Sequence, residues 1–98
     1  KPKVFVAYVG EEIKMRAFSI YESLIKENIP VAFNFFKNIF SQQLEYANKI
    51  GVKYVIIVAL DELSKDSVIL KDFEQGTQEI ISLKKLLDEI KKRLSENV

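Results

Sequence analysis

The chain has no cysteine and no histidine. Their absence excludes disulfides, thiol nucleophiles, thiolate or imidazole metal sites and the commonest general base. With no imidazole to activate them, Ser19, Ser23, Ser41, Ser64, Ser67, Ser82 and Ser95 are expected to cap helices or face solvent rather than attack a substrate. Arginine is almost as scarce: Arg16 and Arg93 stand against 13 lysines, so the planar fork that binds phosphate or base edges bidentately has two candidates. Gly10, Gly51 and Gly76 stand alone, and none opens a dinucleotide or Walker phosphate loop. The longest apolar run, residues 54–60, is seven residues long. A bilayer-spanning helix requires about 20, so no membrane partner is expected. The net charge of +1 gives little electrostatic reach toward a phosphate backbone, and weak affinity for RNA is expected from charge alone. The acidic pairs Glu11-Glu12 and Asp61-Glu62 fall at a helix start and a turn, where solvated carboxylates are normal. No catalytic, metal-binding or cofactor-binding residue is therefore assigned.

What the chain does have is the composition of one globular domain: 98 residues, 48% hydrophobic and 30% charged. Residues 1–98 are read as a single domain. It begins Lys1-Pro2-Lys3 with neither a methionine nor an apolar leader, and is expected to be a piece of a longer protein. The lack of cysteine fits a reducing compartment, and a cytoplasmic location is expected.

Hydrophobic spacing divides the chain. Residues 4–9 form a short β-branched and aromatic run closed by Gly10, which predicts a buried strand. From Glu11, the residues Ile13, Ala17, Ile20, Tyr21, Leu24 and Ile25 recur at helical spacing until Asn28 and Pro30 stop the helix. Residues 31–35 predict a second strand leading into an aromatic loop, 35–40. Ser41 is placed to cap a helix carrying Leu44, Ala47 and Ile50 inward and ending at Gly51. The continuous apolar run 54–60 predicts a central strand covered on both faces, and residues 61–66 a polar turn. Residues 67–73 and 77–81 flank Glu74-Gln75-Gly76 as an antiparallel hairpin. Ser82 is placed to cap a last helix bearing Leu83, Leu86, Leu87, Ile90 and Leu94 on one face. The order βαβαβββα implies a three-layer α/β/α fold with three helices and a mixed sheet of about five strands.

One stretch mixes stacking faces with amide donors. Phe33, Phe35, Phe36, Phe40 and Tyr46 are interleaved with Asn34, Lys37, Asn38, Gln42 and Gln43, the combination that reads unpaired bases. Period-two reasoning assigns about half of the aromatics to the core, which leaves Lys37, Asn38 and Gln42 as the better surface candidates. Lys71 and Asp72 interrupt an apolar strand, where a surface salt bridge is the structural alternative to ligand contact.

Three segments carry a resemblance: Gln43-Leu44-Glu45-Tyr46-Ala47, residues 54–63 ending Asp61-Glu62-Leu63, and residues 70–78, Leu70-Lys71-Asp72-Phe73-Glu74-Gln75-Gly76-Thr77-Gln78. Together they make the chain resemble the C-terminal anticodon-binding domain of histidyl-tRNA synthetases, the class IIa anticodon-binding family. That resemblance implies a mixed five-stranded sheet with three helices and binding of the tRNA anticodon arm. It also implies a separate catalytic domain that uses ATP and histidine, and a parent protein that is a homodimer. Carried over by position, Lys71, Asp72, Glu74 and Gln78 match the family's hairpin and Lys37, Asn38, Gln42 and Gln43 its other RNA-facing segment, the two being expected side by side. The chain departs from the pattern at Ser41-Gln42, where basic residues are frequent, and at Ala59-Leu60, where a glycine-acid pair is frequent. The alternative is a synthetase-like paralogue that kept the fold and serves as a protein-interaction or regulatory module.

Overall fold

The computed structural model describes residues 1–96, so the last two positions of the single-domain assignment lie outside the described residues. Five strands form one sheet in the order β2-β1-β3-β4-β5. β1 (Val4–Tyr8) and β3 (Tyr54–Val58) are parallel neighbours in its centre, each buried along its whole length. β2 (Val31–Ala32) adds a short parallel edge to β1. β4 (Ser67–Asp72) and β5 (Thr77–Ser82) form an antiparallel hairpin on the far side of β3. Strands covered on both faces read as unbroken apolar runs, which is why 4–8 and 54–58 are legible in the sequence.

The alternation of side chains along each strand divides the core in two. Val4, Val6, Tyr8, Ile56, Val58, Val68 and Leu70 face one side, where α1 (Lys14–Lys26, after a 3-10 turn at Glu11–Ile13) and α4 (Leu83–Glu96) cover them with Ala17, Leu24, Leu86 and Ile90. Phe5, Ala7, Val55 and Ile57 face the other, where α2 (Phe40–Lys49) contributes Ala47 with Leu44, Tyr46 and Ile50 around it. The α/β/α layering and mixed five-stranded sheet agree with expectation.

Several local expectations change. A fourth, single-turn helix, α3 (Leu60–Leu63), stands where a polar turn was expected after the central strand. β2 stops at Ala32 rather than at residue 35, because the Asn34 side-chain oxygen accepts from the backbone N–H groups of Phe36 and Lys37 and turns the chain. Ser41 does not cap α2: the helix begins at Phe40 after extended Ile39, with no side-chain cap. Asn28, at φ 61°, and Gly51, at φ 80°, do end α1 and α2 in the left-handed region.

Candidate nucleic-acid interface

The register of the sheet places the two groups of candidate residues at opposite ends. β4 runs antiparallel to β3, with Val55 beside Lys71 and Tyr54 beside Asp72. The hairpin turn 73–76 therefore lies at the N-terminal end of the parallel strands. The loop 33–39 instead closes over their C-terminal end, where it bonds to Tyr8. Lys71 is level with Phe5, three residues from Tyr8, a separation of roughly 10 Å along the strand in addition to two strand spacings across the sheet. The side-by-side arrangement expected of Lys71 and the 37–43 loop is thus not formed, because an antiparallel return strand puts its turn at the end opposite to the parallel strands' exits.

The loop is built by residues distant in sequence. β2 pairs with β1 only at Val4 and Phe5, so the edge of Tyr8 that points toward β2 has no strand beside it. Gln43 fills that place: its Oε1 accepts from Tyr8 N–H at 2.8 Å and its Nε2 donates to Tyr8 C=O at 3.0 Å. Nε2 also reaches the Asn38 carbonyl at 3.4 Å. Gln43 is completely buried, the one buried polar residue among those described. This corrects its assignment as an RNA contact, since both ends of its amide are used inside the protein. The Tyr8 ring stacks on Phe33 at 5.7 Å, and its hydroxyl donates to Asn38 Oδ1 at 3.0 Å with the Lys37 carbonyl 3.3 Å away. Lys14 donates to the Phe35 carbonyl at 2.8 Å and to Asn38 Oδ1 at 3.2 Å. Phe18, Tyr21, Phe33 and Phe35 pack ring against ring at the base of the loop. Of the aromatic cluster, Phe33, Phe40 and Tyr46 are partly buried against the two core layers, whereas Phe35 is exposed.

What stays outside is mixed: Phe35 and Ile39 are about half exposed. Phe36 is 92% exposed at the tip, and Lys37, Asn38 and Gln42 are exposed beside it. Lys37 and Gln42 line a shallow cleft of about 270 Å³ along one flank of α2 with Glu45, Tyr46 and Lys49. Lys37 has no ion-pair partner among the described residues.

The hairpin group is arranged differently. Lys71 and Gln78 are register partners on the α2 side of the sheet, where β4 and β5 extend past the helix and Ile80 is 67% exposed. Asp72 leaves on the opposite face, so it forms no ion pair with Lys71; its Oδ1 instead accepts the backbone N–H groups of Glu74 and Gln75 and shapes the turn. Glu74 is exposed and ion-paired to Lys53 at 3.7 Å. Arg93 is engaged by Glu89, Glu79 and the face of Tyr54, which ties α4 to the sheet. Hydrogen bonding to Arg93 is the main reason that the Glu89 carboxyl sits below the usual glutamate range. Among the described residues, no three acidic side chains come together as a metal site. The residues that sequence reasoning missed are Tyr8 and Lys14, which carry no local signal because their partners lie 21 to 30 positions away.

Comparison with known proteins agrees with this architecture. The histidine–tRNA ligase of Thermodesulfovibrio yellowstonii is 34% identical over 93 residues, which are 95% of this chain and 22% of that protein. The chain thus spans about a fifth of the length of the curated relatives it matches. The histidyl-tRNA synthetase from Nostoc sp. PCC 7120 superposes with a TM-score of 0.86 at 29% identity, covering 95% of this chain and 22% of that one. The RNA binding domain of threonyl-tRNA synthetase from Cryptosporidium parvum Iowa II has a TM-score of 0.83 at 15% identity, over 93% of this chain and 23% of that one, a likeness of fold alone. The family profile described as "Anticodon binding domain" matches residues 3–93, from the residue before β1 to the arginine that anchors α4, and the chain belongs to that family.

Proposed function

We propose that this chain is the anticodon-binding domain of a histidine–tRNA ligase, holding unpaired anticodon bases while a separate domain of a longer protein activates histidine with ATP and charges the tRNA. The parent would be a cytoplasmic homodimer. The observation that carries the reading is the preassembled loop 33–39, which presents an exposed ring, a cation and an amide within three consecutive residues, Phe36, Lys37 and Asn38. Those are a stacking face, a phosphate contact and a base-edge donor. The activity of the relatives and the shared fold point the same way.

The test is fluorescence anisotropy with an anticodon stem-loop at two salt concentrations. Lys37→Ala should weaken binding about equally for all loop sequences and lower the logarithmic salt slope by roughly 0.7 to 1. Lys92→Ala, exposed on α4 in the layer across the sheet from α2, should change neither. Equal damage from the two variants would mean diffuse attraction without a site. No binding by the unsubstituted chain would favour the protein-interaction paralogue.

A further inference from the structure

The Asn38 carboxamide is oriented by its neighbours. The Lys14 ammonium is a donor with no acceptor, so the Asn38 atom 3.2 Å from it is the carbonyl oxygen. A flipped amide would set its NH₂ against that ammonium, donor facing donor. The Tyr8 hydroxyl adds a second donor to the same oxygen at 3.0 Å. Lys14 and Tyr8 are themselves anchored, Lys14 by the Phe35 carbonyl and Tyr8 by burial within the sheet and stacking on Phe33. Asn38 Nδ2 has no partner among the described residues, and the residue is exposed. The side chain therefore meets a ligand as a donor only.

An asparagine that pairs with adenine uses both halves of its amide, accepting from N6 and donating to N7. Asn38 has the accepting half occupied. Guanine offers two acceptors, O6 and N7, on the corresponding edge. Phe36, two residues earlier and 92% exposed, offers the ring on which such a base would stack. The Asn34 side chain fixes the backbone of Phe36 and Lys37, so this arrangement exists without a ligand.

We propose that Asn38 is a specificity-determining residue of the loop, held carbonyl-inward and donor-outward by Lys14 and Tyr8 so that it selects an unpaired guanine over adenine. The inference rests on the RNA-binding reading and adds to it which base edge the loop accepts.

The experiment uses stem-loops whose seven-nucleotide loop is all adenosine, or adenosine with a single guanosine, inosine or 7-deazaguanosine at one of the three central positions. At one of these positions guanosine should bind roughly tenfold more tightly than adenosine, the discrimination expected of one good base-edge contact. Inosine, which keeps O6 and N7, should match guanosine. The 7-deaza base, which lacks N7, should fall between. Asn38→Asp keeps the oxygen for Lys14 and Tyr8 but removes the outward donors, and it should bring guanosine and adenosine to within about twofold. Tyr8→Phe keeps the ring and removes one lock, so the preference should shrink while thermal unfolding stays cooperative. Lys14→Met, at a partly exposed position, removes the other lock and reads the same effect if the Tyr8 variant loses its fold. Equal binding of all loops by the unsubstituted chain, or an undiminished guanosine preference in Asn38→Asp, overturns this inference and leaves the RNA-binding reading standing. No binding of any loop overturns both.

Discussion

Gln43 shows how one side chain can replace part of a strand. The Tyr8 backbone is fully buried, and a buried N–H or C=O left unpaired costs about 1–3 kcal/mol. Gln43→Ala removes the partner of both groups together. It should lower stability by at least ~2 kcal/mol in urea denaturation and speed hydrogen exchange at Tyr8 more than at Val6. An unchanged midpoint would mean that water replaces the amide without loss. A second residue-scale prediction concerns Glu89. Its folded-state pKa is depressed, so its contribution is present above the unfolded-state value, about 4.3, and is lost as the pH falls through the folded-state value. Wild type should exceed Glu89→Gln by ~0.5 kcal/mol at pH 6. The gap should close as the pH falls to the most acidic values at which the domain remains folded. A gap that widens in acid would contradict the sign.

At the scale of elements, the hairpin depends on its turn. Gly76 has φ 73°, and its N–H donates to the Asp72 carbonyl at 2.8 Å while Asp72 Oδ1 accepts from the Glu74 and Gln75 amides. A side chain at Gly76 would meet nothing within 4 Å, so the cost of Gly76→Ala is that of the left-handed backbone alone, roughly 1–2 kcal/mol. Gly76→Asn, which tolerates that region, should cost less. Chemical denaturation of the two variants checks the order, and equal losses would point to a steric cause. The aspartate that the family resemblance offered as an RNA contact uses one carboxylate oxygen, Oδ1, in the turn it builds. Lys71 and Gln78 remain available on the other face.

At the scale of the molecule, β3 is the shared wall of both core layers. Ile56 faces α1 and α4 and is fully buried, so Ile56→Asp would bury an unpaired carboxylate at a cost of several kcal/mol. Circular dichroism on heating should show loss of the cooperative transition, and a native midpoint would refute the central position of the strand. The same layering sets the candidate loop apart from the α4 side of the scaffold. α4 and its Arg93 staple lie on the face away from α2, whereas the loop 33–39 and the start of α2 share the C-terminal end of the parallel strands.

The layers, the mixed sheet and the elements that build them were legible in the amino-acid order because they depend on local quantities: the period of apolar residues, unbroken runs at 4–8 and 54–58, and left-handed stops at Asn28 and Gly51. The exposed candidates Lys37, Asn38 and Gln42 were legible for the same reason, since polar residues beside core aromatics must find solvent or a ligand. Where β2 ends, what Gln43 does and which way Asn38 points were not legible. Each depends on groups that meet only after the chain closes: the unpaired edge of Tyr8, the ammonium of Lys14 and the antiparallel return that carries Lys71 to the other end of the sheet. A glutamine on a helix reads as a surface amide until the fold places a buried, strandless backbone beside it.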